Sequence, residues 1–152
     1  MTVLVREAAP NDLVALLDLY RDLHERDEPA GPDACGAAWS ALLADPKARV
    51  LLLEAKGQVV SSCVLFVHPN LSRGARPFGL IENVVTRSGC RQRGYAGRLL
   101  DHALALAWAE GCYKVMLLTG RTDPSVHRLY TGAGFRSGIK VGYIAYPPGG
   151  PP

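Results

Sequence analysis

The sequence holds four cysteines, Cys35, Cys63, Cys90 and Cys112, and none of them belongs to a Cys-x-x-Cys pair. Their spacings fit neither a zinc site nor a disulfide framework. His24, His68, His102 and His127 are scattered and lack metal-ligand spacing. No bound metal is therefore expected. Five or more like charges never run together, which excludes a charged tail. The net charge of +3, from 17 basic and 14 acidic residues, is too small an excess for a nucleic-acid partner. No apolar run is long enough to cross a bilayer, so no membrane partner is expected either. The N-terminus shows no signal peptide, since Met1-Thr2-Val3-Leu4 leads straight into a charged strand. A reducing cytoplasm is then the default location. Two common phosphate motifs are also missing: Gly-x-x-x-x-Gly-Lys-Ser/Thr, and Gly-x-Gly-x-x-Gly at a first crossover.

What is present suits one domain that needs no covalent staple, because 152 residues that are 48% hydrophobic can bury a core. Residues 2–8 read as a strand. Asn11 or Asp12 can cap a helix carrying Leu13, Leu16, Leu17 and Tyr20 at helical spacing. Residues 25–32 are polar and rich in Pro and Gly, which predicts a loop, and a weaker helix follows over residues 33–43. Residues 49–55 and 58–68 are apolar strands separated by Lys56-Gly57, a hairpin signal. After a loop over residues 69–77, a strand over residues 78–86 meets a glycine-and-arginine loop. A long helix over residues 95–110 comes next, then a strand over 114–119. Asp123-Pro124 opens another helix, with a capping carboxylate before proline. Gly134 ends that helix, and residues 139–146 read as a last strand. A single domain over residues 1–146 is expected, with a disordered Pro/Gly tail over 147–152. Hairpins come early and one strand–helix–strand crossover late, which gives an α/β layer fold with a mixed sheet.

The crossover carries the chemistry. The first turn of a helix offers free N–H groups and the positive end of the helix dipole. A pyrophosphate fits there without side-chain charge. In the run Arg91-Gln92-Arg93-Gly94-Tyr95-Ala96-Gly97, the glycines let backbone approach an anion and the arginines add charge at the rim. The same glycines also suit a plain tight turn. Arg87, Arg91, Arg93 and Arg98 cluster locally, which suits a small polyanion such as a phosphorylated cofactor.

A second run, Leu129-Tyr130-Thr131-Gly132-Ala133-Gly134-Phe135, follows one strand and one turn later. Arg/Gln-x-x-Gly-x-Gly/Ala followed about thirty residues on by Leu-Tyr-x-x-x-Gly-Phe resembles the GNAT superfamily of N-acetyltransferases, and the order of elements agrees over nearly the whole chain. The resemblance implies a mixed, mostly antiparallel sheet splayed between strands 4 and 5, with helices on both faces. It implies acetyl-CoA as cosubstrate and a small-molecule amine as acceptor, and it leaves a homodimer open. By position, Val84, Val85 and Thr86 would pair with the pantetheine arm. Arg91, Gln92, Arg93, Gly94, Tyr95, Ala96 and Gly97 would hold the pyrophosphate. Asp123, Ser125 and Tyr130 would lie by the cofactor. Asp123 stands where many members have Asn, so it can cap its helix but cannot donate amide hydrogen bonds. The segments Ile81-Glu82-Asn83-Val84-Val85 and Gly111-Cys112-Tyr113-Lys114-Val115 look similar to the amino-sugar-phosphate acetyltransferase branch.

An amine attacking a thioester needs a base, an oxyanion donor and an acid for the leaving thiolate. Tyr130 matches the family position of that acid, although its place on an apolar helix stripe also suits core packing. A backbone N–H near Val84 or Val85 would be the oxyanion donor. Glu82 is the candidate base or amine anchor, with an inward salt bridge as the alternative. Asn83 should face the other side of the strand. Arg73 and Arg76 can line the acceptor cleft or simply be solvated. The expected activity is acyl transfer to a primary amine by direct attack. The alternative, from a different class, is a CoA-binding module that has lost turnover.

Overall fold

The computed structural model describes residues 2–24 and 30–150, so most of the predicted loop over 25–32 lies outside the described residues. The chain divides into two compact units, Met1–Leu117 and Leu118–Pro152.

The first unit is built on a sheet of five strands in the order β1 (Val3–Glu7), β2 (Ala48–Ala55), β3 (Gln58–His68), β4 (Phe78–Thr86), β5 (Val115–Met116). The first four are antiparallel neighbours, and β5 runs parallel to β4. Lys56 and Gly57, both with positive φ, form the two-residue turn between β2 and β3. Such turns match the natural twist of the strands they join.

Helices cover both faces, which is why β2 and β3 read as almost continuous apolar runs. On one face α1 (Leu13–Tyr20) and α2 (Pro32–Ala44) bring Leu16, Leu19 and Trp39 onto Val50, Leu52, Val64 and Val85. The opposite set of alternating residues, Leu51, Leu53, Cys63, Leu65 and Ile81, is equally buried. Against these strands packs α4 (Tyr95–Ala109), with Leu99, Leu100, Ala103 and Ala107 inward. The short α3 (Ser72–Ala75) lies between β3 and β4. It is left-handed at Arg73 (φ 57°), Gly74 (φ 71°) and Ala75 (φ 58°).

Asp12 stands at the N-cap of α1, but its side chain does not make the capping hydrogen bond the sequence suggests. Arg6 takes both of its carboxylate oxygens, at 2.7 and 2.8 Å, and also binds Glu54 across the β1–β2 ladder. The same carboxylate accepts the Ala9 N–H at 2.7 Å, so it holds the strand-to-helix turn instead of the helix end.

A second departure lies in β4. Val64 pairs with Glu82 but Ser62 pairs with Val85, so Asn83 and Val84 together oppose Cys63. This is a β-bulge, and Asn83 takes the left-handed conformation at φ 53°. The bulge cancels the expected alternation. Glu82 and Asn83 are both exposed, and both lie on the α1 side, Glu82 opposite Val64 and Asn83 bonded to Tyr20.

β5 is shorter than the predicted 114–119. Its ladder ends at Leu80–Met116, just before the bulge bends and twists β4.

In the second unit α5 (Pro124–Gly132) starts as predicted, with the Asp123 carboxylate accepting the Ser125 N–H at 2.8 Å. Residues 139–146 form no strand among the described residues, although their composition favours one. Residues 147–150 close a turn through Gly150 N–H to the Pro147 carbonyl at 2.8 Å, and residues 151–152 lie outside the described set.

Candidate functional site

β4, the loop after it and the start of α4 make one continuous path, and most of the predicted site residues lie along it. Gly94 is the N-cap of α4 at φ 76°, ψ 7°, and Gln92 is also left-handed at φ 61°. Alternating backbone handedness turns successive N–H groups inward and forms a concave site for anions. The Arg98 N–H bonds the Gly94 carbonyl at 3.1 Å, so the amides of Tyr95, Ala96 and Gly97 precede the first helical bond. A Cβ added at Gly94 or Gly97 would meet no protein atom within 4 Å. Packing therefore does not require glycine at 97, whereas close approach of an anion to the backbone would. These features fit a pyrophosphate. The Tyr95 ring is buried in the core, so only its backbone can serve the loop.

The surrounding arginines differ in their partners. Arg87 pairs with Asp18 at 3.0 Å, although its Nε is buried without a hydrogen-bond partner. Arg91 donates to the carbonyls of Thr86 and Asp22, each at 3.3 Å, and Arg93 to that of Gly89 at 3.3 Å. Neither makes an ion pair with a carboxylate among the described residues, so both keep charge available at the loop.

Along β4, pairing to β5 covers only Gly79–Val115 and Leu80–Met116. Beyond Leu80, no strand of the described residues pairs with that edge of β4. A free strand edge carries unpaired backbone groups that an extended ligand can bond. Val84 is half-buried, the Val85 side chain is buried towards α1, and the Thr86 hydroxyl lies 2.8 Å from that of Ser61. Ser61 also donates to the Val85 carbonyl at 2.9 Å, which braces this stretch from β3.

Glu82 is exposed and makes no ion pair or hydrogen bond among the described residues, so the inward salt bridge is not formed there. Beside it, the Asn83 side chain bonds the Tyr20 hydroxyl. Burial pushes the Tyr20 phenol up to about 12, and the Asn83 bond acts in the opposite direction. Tyr20 is accordingly a neutral phenol near pH 7. The sequence did not single out Tyr20, Ser61 or the bulge. The one available signal was Asn within a strand, since Asn tolerates positive φ better than most residues.

The remaining predicted residues lie on α5 in the second unit. Tyr130 is half-buried and edge-on to Phe135, with centroids 6.1 Å apart at 76°. The Phe135 N–H bonds the Tyr130 carbonyl at 3.0 Å, so the helix end folds Phe135 back onto Tyr130. This contact gives the Tyr-to-Phe spacing its physical reason. Ser125 is half-buried in the first turn. The Ser125 backbone N–H, bonded to Asp123, holds that carboxyl below the usual range. His127 is exposed and bonds the Arg121 carbonyl through Nε2 at 3.0 Å. All four cysteines are free, and burial pushes the Cys63 thiol up to about 12.

Comparison with known proteins places the chain in a family. The profile of the Acetyltransferase (GNAT) family matches residues 13–135. Over 135 residues the chain is 30% identical to a curated relative named glucosamine 6-phosphate N-acetyltransferase, from Trypanosoma brucei brucei, with 88% of each chain covered. A solved structure from Agrobacterium tumefaciens str. C58, named "Putative acetyltransferase", is 40% identical. It has a TM-score of 0.89, covering 94% of this chain and 99% of that one. The glucosamine-6-phosphate N-acetyltransferase of Arabidopsis thaliana shares the fold at TM-score 0.83 and 17% identity, covering 96% of this chain and 99% of that one.

Proposed function

We propose that this chain, which belongs to the acetyltransferase (GNAT) family, moves an acetyl group from acetyl-CoA to the primary amine of a small molecule by direct attack in a ternary complex. The observation that carries this reading is the left-handed glycine entry to α4 next to a β4 edge that, among the described residues, pairs with no strand beyond Leu80. Acetyl-CoA, as cosubstrate, supplies the activated acyl group.

The chain's own residues do the rest. The amides of residues 91–97 hold the pyrophosphate, with Arg91 and Arg93 at the rim. The backbone of Val84, Val85 and Thr86 holds the pantetheine arm, and one N–H of this stretch meets the developing oxyanion. Glu82 accepts a proton from the amine or anchors it, a role its exposed and unpaired carboxylate supports. Tyr130 gives its proton to the departing thiolate. The support for Tyr130 is the Leu129-Tyr130 to Gly134-Phe135 spacing and the ring contact behind it. Asp123 and Ser125 shape the first turn of α5 near the cofactor.

An amino-sugar phosphate is the acceptor class we favour, because the Trypanosoma brucei brucei relative is named for one. Self-association of two copies is a further part of the reading, supported by the exposed Val141, Tyr143 and Ile144; sedimentation across protein concentrations checks it. A cytoplasmic location suits four free cysteines.

The deciding experiment measures CoA release from acetyl-CoA with a panel of amines, beside calorimetric CoA binding. Transfer to at least one amine is expected. Tight CoA binding with no transfer to any amine would make the chain a silent CoA-binding module.

A further inference from the structure

We propose that Arg73, Arg76 and Lys114, gathered around the ring of Tyr113, form an anion subsite for the acceptor, so that the acceptor is an amine bearing a phosphate or similar dianion away from its reacting nitrogen. This deepens the acetyltransferase reading above and rests on it for the identity of the bound molecule.

The three cations converge on one aromatic platform. The guanidinium carbons of Arg73 and Arg76 lie 6.0 and 5.9 Å from the Tyr113 centroid. Lys114 Nζ lies 5.4 Å from the same centroid and 5.5 Å from that of Phe78. Ring faces attract cations, but only weakly at exposed sites. Mutual repulsion of three positive charges opposes that gain. Among the described residues, Lys47, Arg49 and Arg87 pair with carboxylates, whereas Arg91 and Arg93 at the pyrophosphate loop do not. None of Arg73, Arg76 and Lys114 does either. The cluster is thus a concentration of positive charge that an incoming dianion would neutralise.

Backbone strain points the same way. Arg73 is carried on a turn with three consecutive left-handed residues, two of which bear a Cβ. A Cβ clashes with the following carbonyl oxygen in this conformation, so such residues are strained. The turn is tied down instead of relaxing. The Asn70 side-chain amide donates to the carbonyls of Ser72 and Arg76, at 2.9 and 3.2 Å, and Arg76 Nε donates to the Arg73 carbonyl at 3.0 Å. Strain maintained by dedicated bonds is characteristic of binding sites.

Position separates this cluster from the pyrophosphate loop and links it to the acceptor. The loop precedes the first residue of α4 and Lys114 follows its last turn, so the 15-residue helix, ~22 Å long, lies between them. Phe78 and Glu82 share one sheet face through their partners His68 and Val64, and are four residues, ~13 Å, apart along β4. Arginine and lysine side chains shorten that gap to the dimensions of a small phosphorylated amine.

The test uses the full chain saturated with CoA, and measures binding of glucosamine 6-phosphate and of glucosamine by calorimetry. The phosphorylated sugar should bind at least about 10-fold more tightly. Arg76→Gln and Lys114→Met should each remove most of that preference, leaving glucosamine binding and CoA affinity unchanged. Lys114→Met breaks no bond of the strained turn, so it separates charge from loop structure. Equal affinity for the two sugars, binding of neither, or a preference that survives both variants would overturn the proposal. A preference that disappears in the variants, without acetyl transfer to either sugar, would leave the anion subsite standing and count against the catalytic reading alone.

Discussion

Arg6 holds Asp12 through both terminal nitrogens while the same carboxylate fixes the Ala9 N–H. Hydrogen bonding from Arg6 keeps the Asp12 carboxyl below the usual range. A depressed carboxyl stabilises the fold fully above its unfolded value of ~3.9, and that stability disappears as pH falls through the folded value. Asp12→Asn should therefore cost ~1–3 kcal/mol in urea unfolding at pH 7, with the gap to wild type closing below about pH 4. An undiminished gap at pH 3 would show that packing, not charge, is responsible. Asn83 gives a second case, because its left-handed φ separates backbone need from side-chain need. Asn83→Ala should lose ~1 kcal/mol more than Asn83→Gly, read by the same unfolding method. Tyr130→Phe keeps the ring on Phe135 and removes only the hydroxyl. Turnover should drop ~10²-fold or more with acetyl-CoA affinity nearly unchanged; wild-type turnover with chemistry rate-limiting would leave Tyr130 as a packing residue. At this scale the sequence displayed the left-handed Gly94 and the Tyr130-to-Phe135 spacing, because both are local demands. It hid Tyr20 and Ser61, whose partners Asn83 and Thr86 stand far along the chain and become neighbours only when α1, β3 and β4 are assembled.

Among elements, β5 depends on a glycine across the ladder. A Cβ at Gly79 would come within 3.0 Å of Val115 Cγ2 and 3.3 Å of Leu65 Cδ1. Gly79→Ala should therefore cost ~1–3 kcal/mol, and hydrogen exchange should quicken at Val115 and Met116, whose two pairs make up the β4–β5 ladder. Unchanged exchange there would mean that the neighbours absorb the methyl group. The hairpin β2–β3 and the helix α4 were legible because a two-residue turn and a helical apolar stripe are written in neighbouring residues. Residues 139–146 misled for the converse reason. Ile139, Val141, Tyr143 and Ile144 have strand composition, but a strand also needs a ladder partner, which composition does not supply. The same limit shortened β5, which pairs with β4 only at Val115 and Met116.

For the molecule as a whole, ligand binding should appear as stability. CoA at 100 times its dissociation constant adds ~2.7 kcal/mol, which for a chain of this size moves the unfolding midpoint by ~5–10 °C. Gly97→Glu should fold normally, since a Cβ at 97 meets nothing, and should lose the shift, because a carboxylate would face the pyrophosphate. A full shift in that variant would remove the loop from the proposed site. Family and layer order were readable as far as α5, whereas the end of the chain was not, because the strand expected over residues 139–146 does not form among the described residues.

The left-handed turn at Arg73, Gly74 and Ala75 also bears on how this protein can evolve. Replacing Arg73 by glycine would relieve backbone strain while discarding one of the three charges around Tyr113. Selection for heat resistance alone would then favour a sequence that recognises its acceptor less well, so laboratory evolution under the two pressures should diverge at this position.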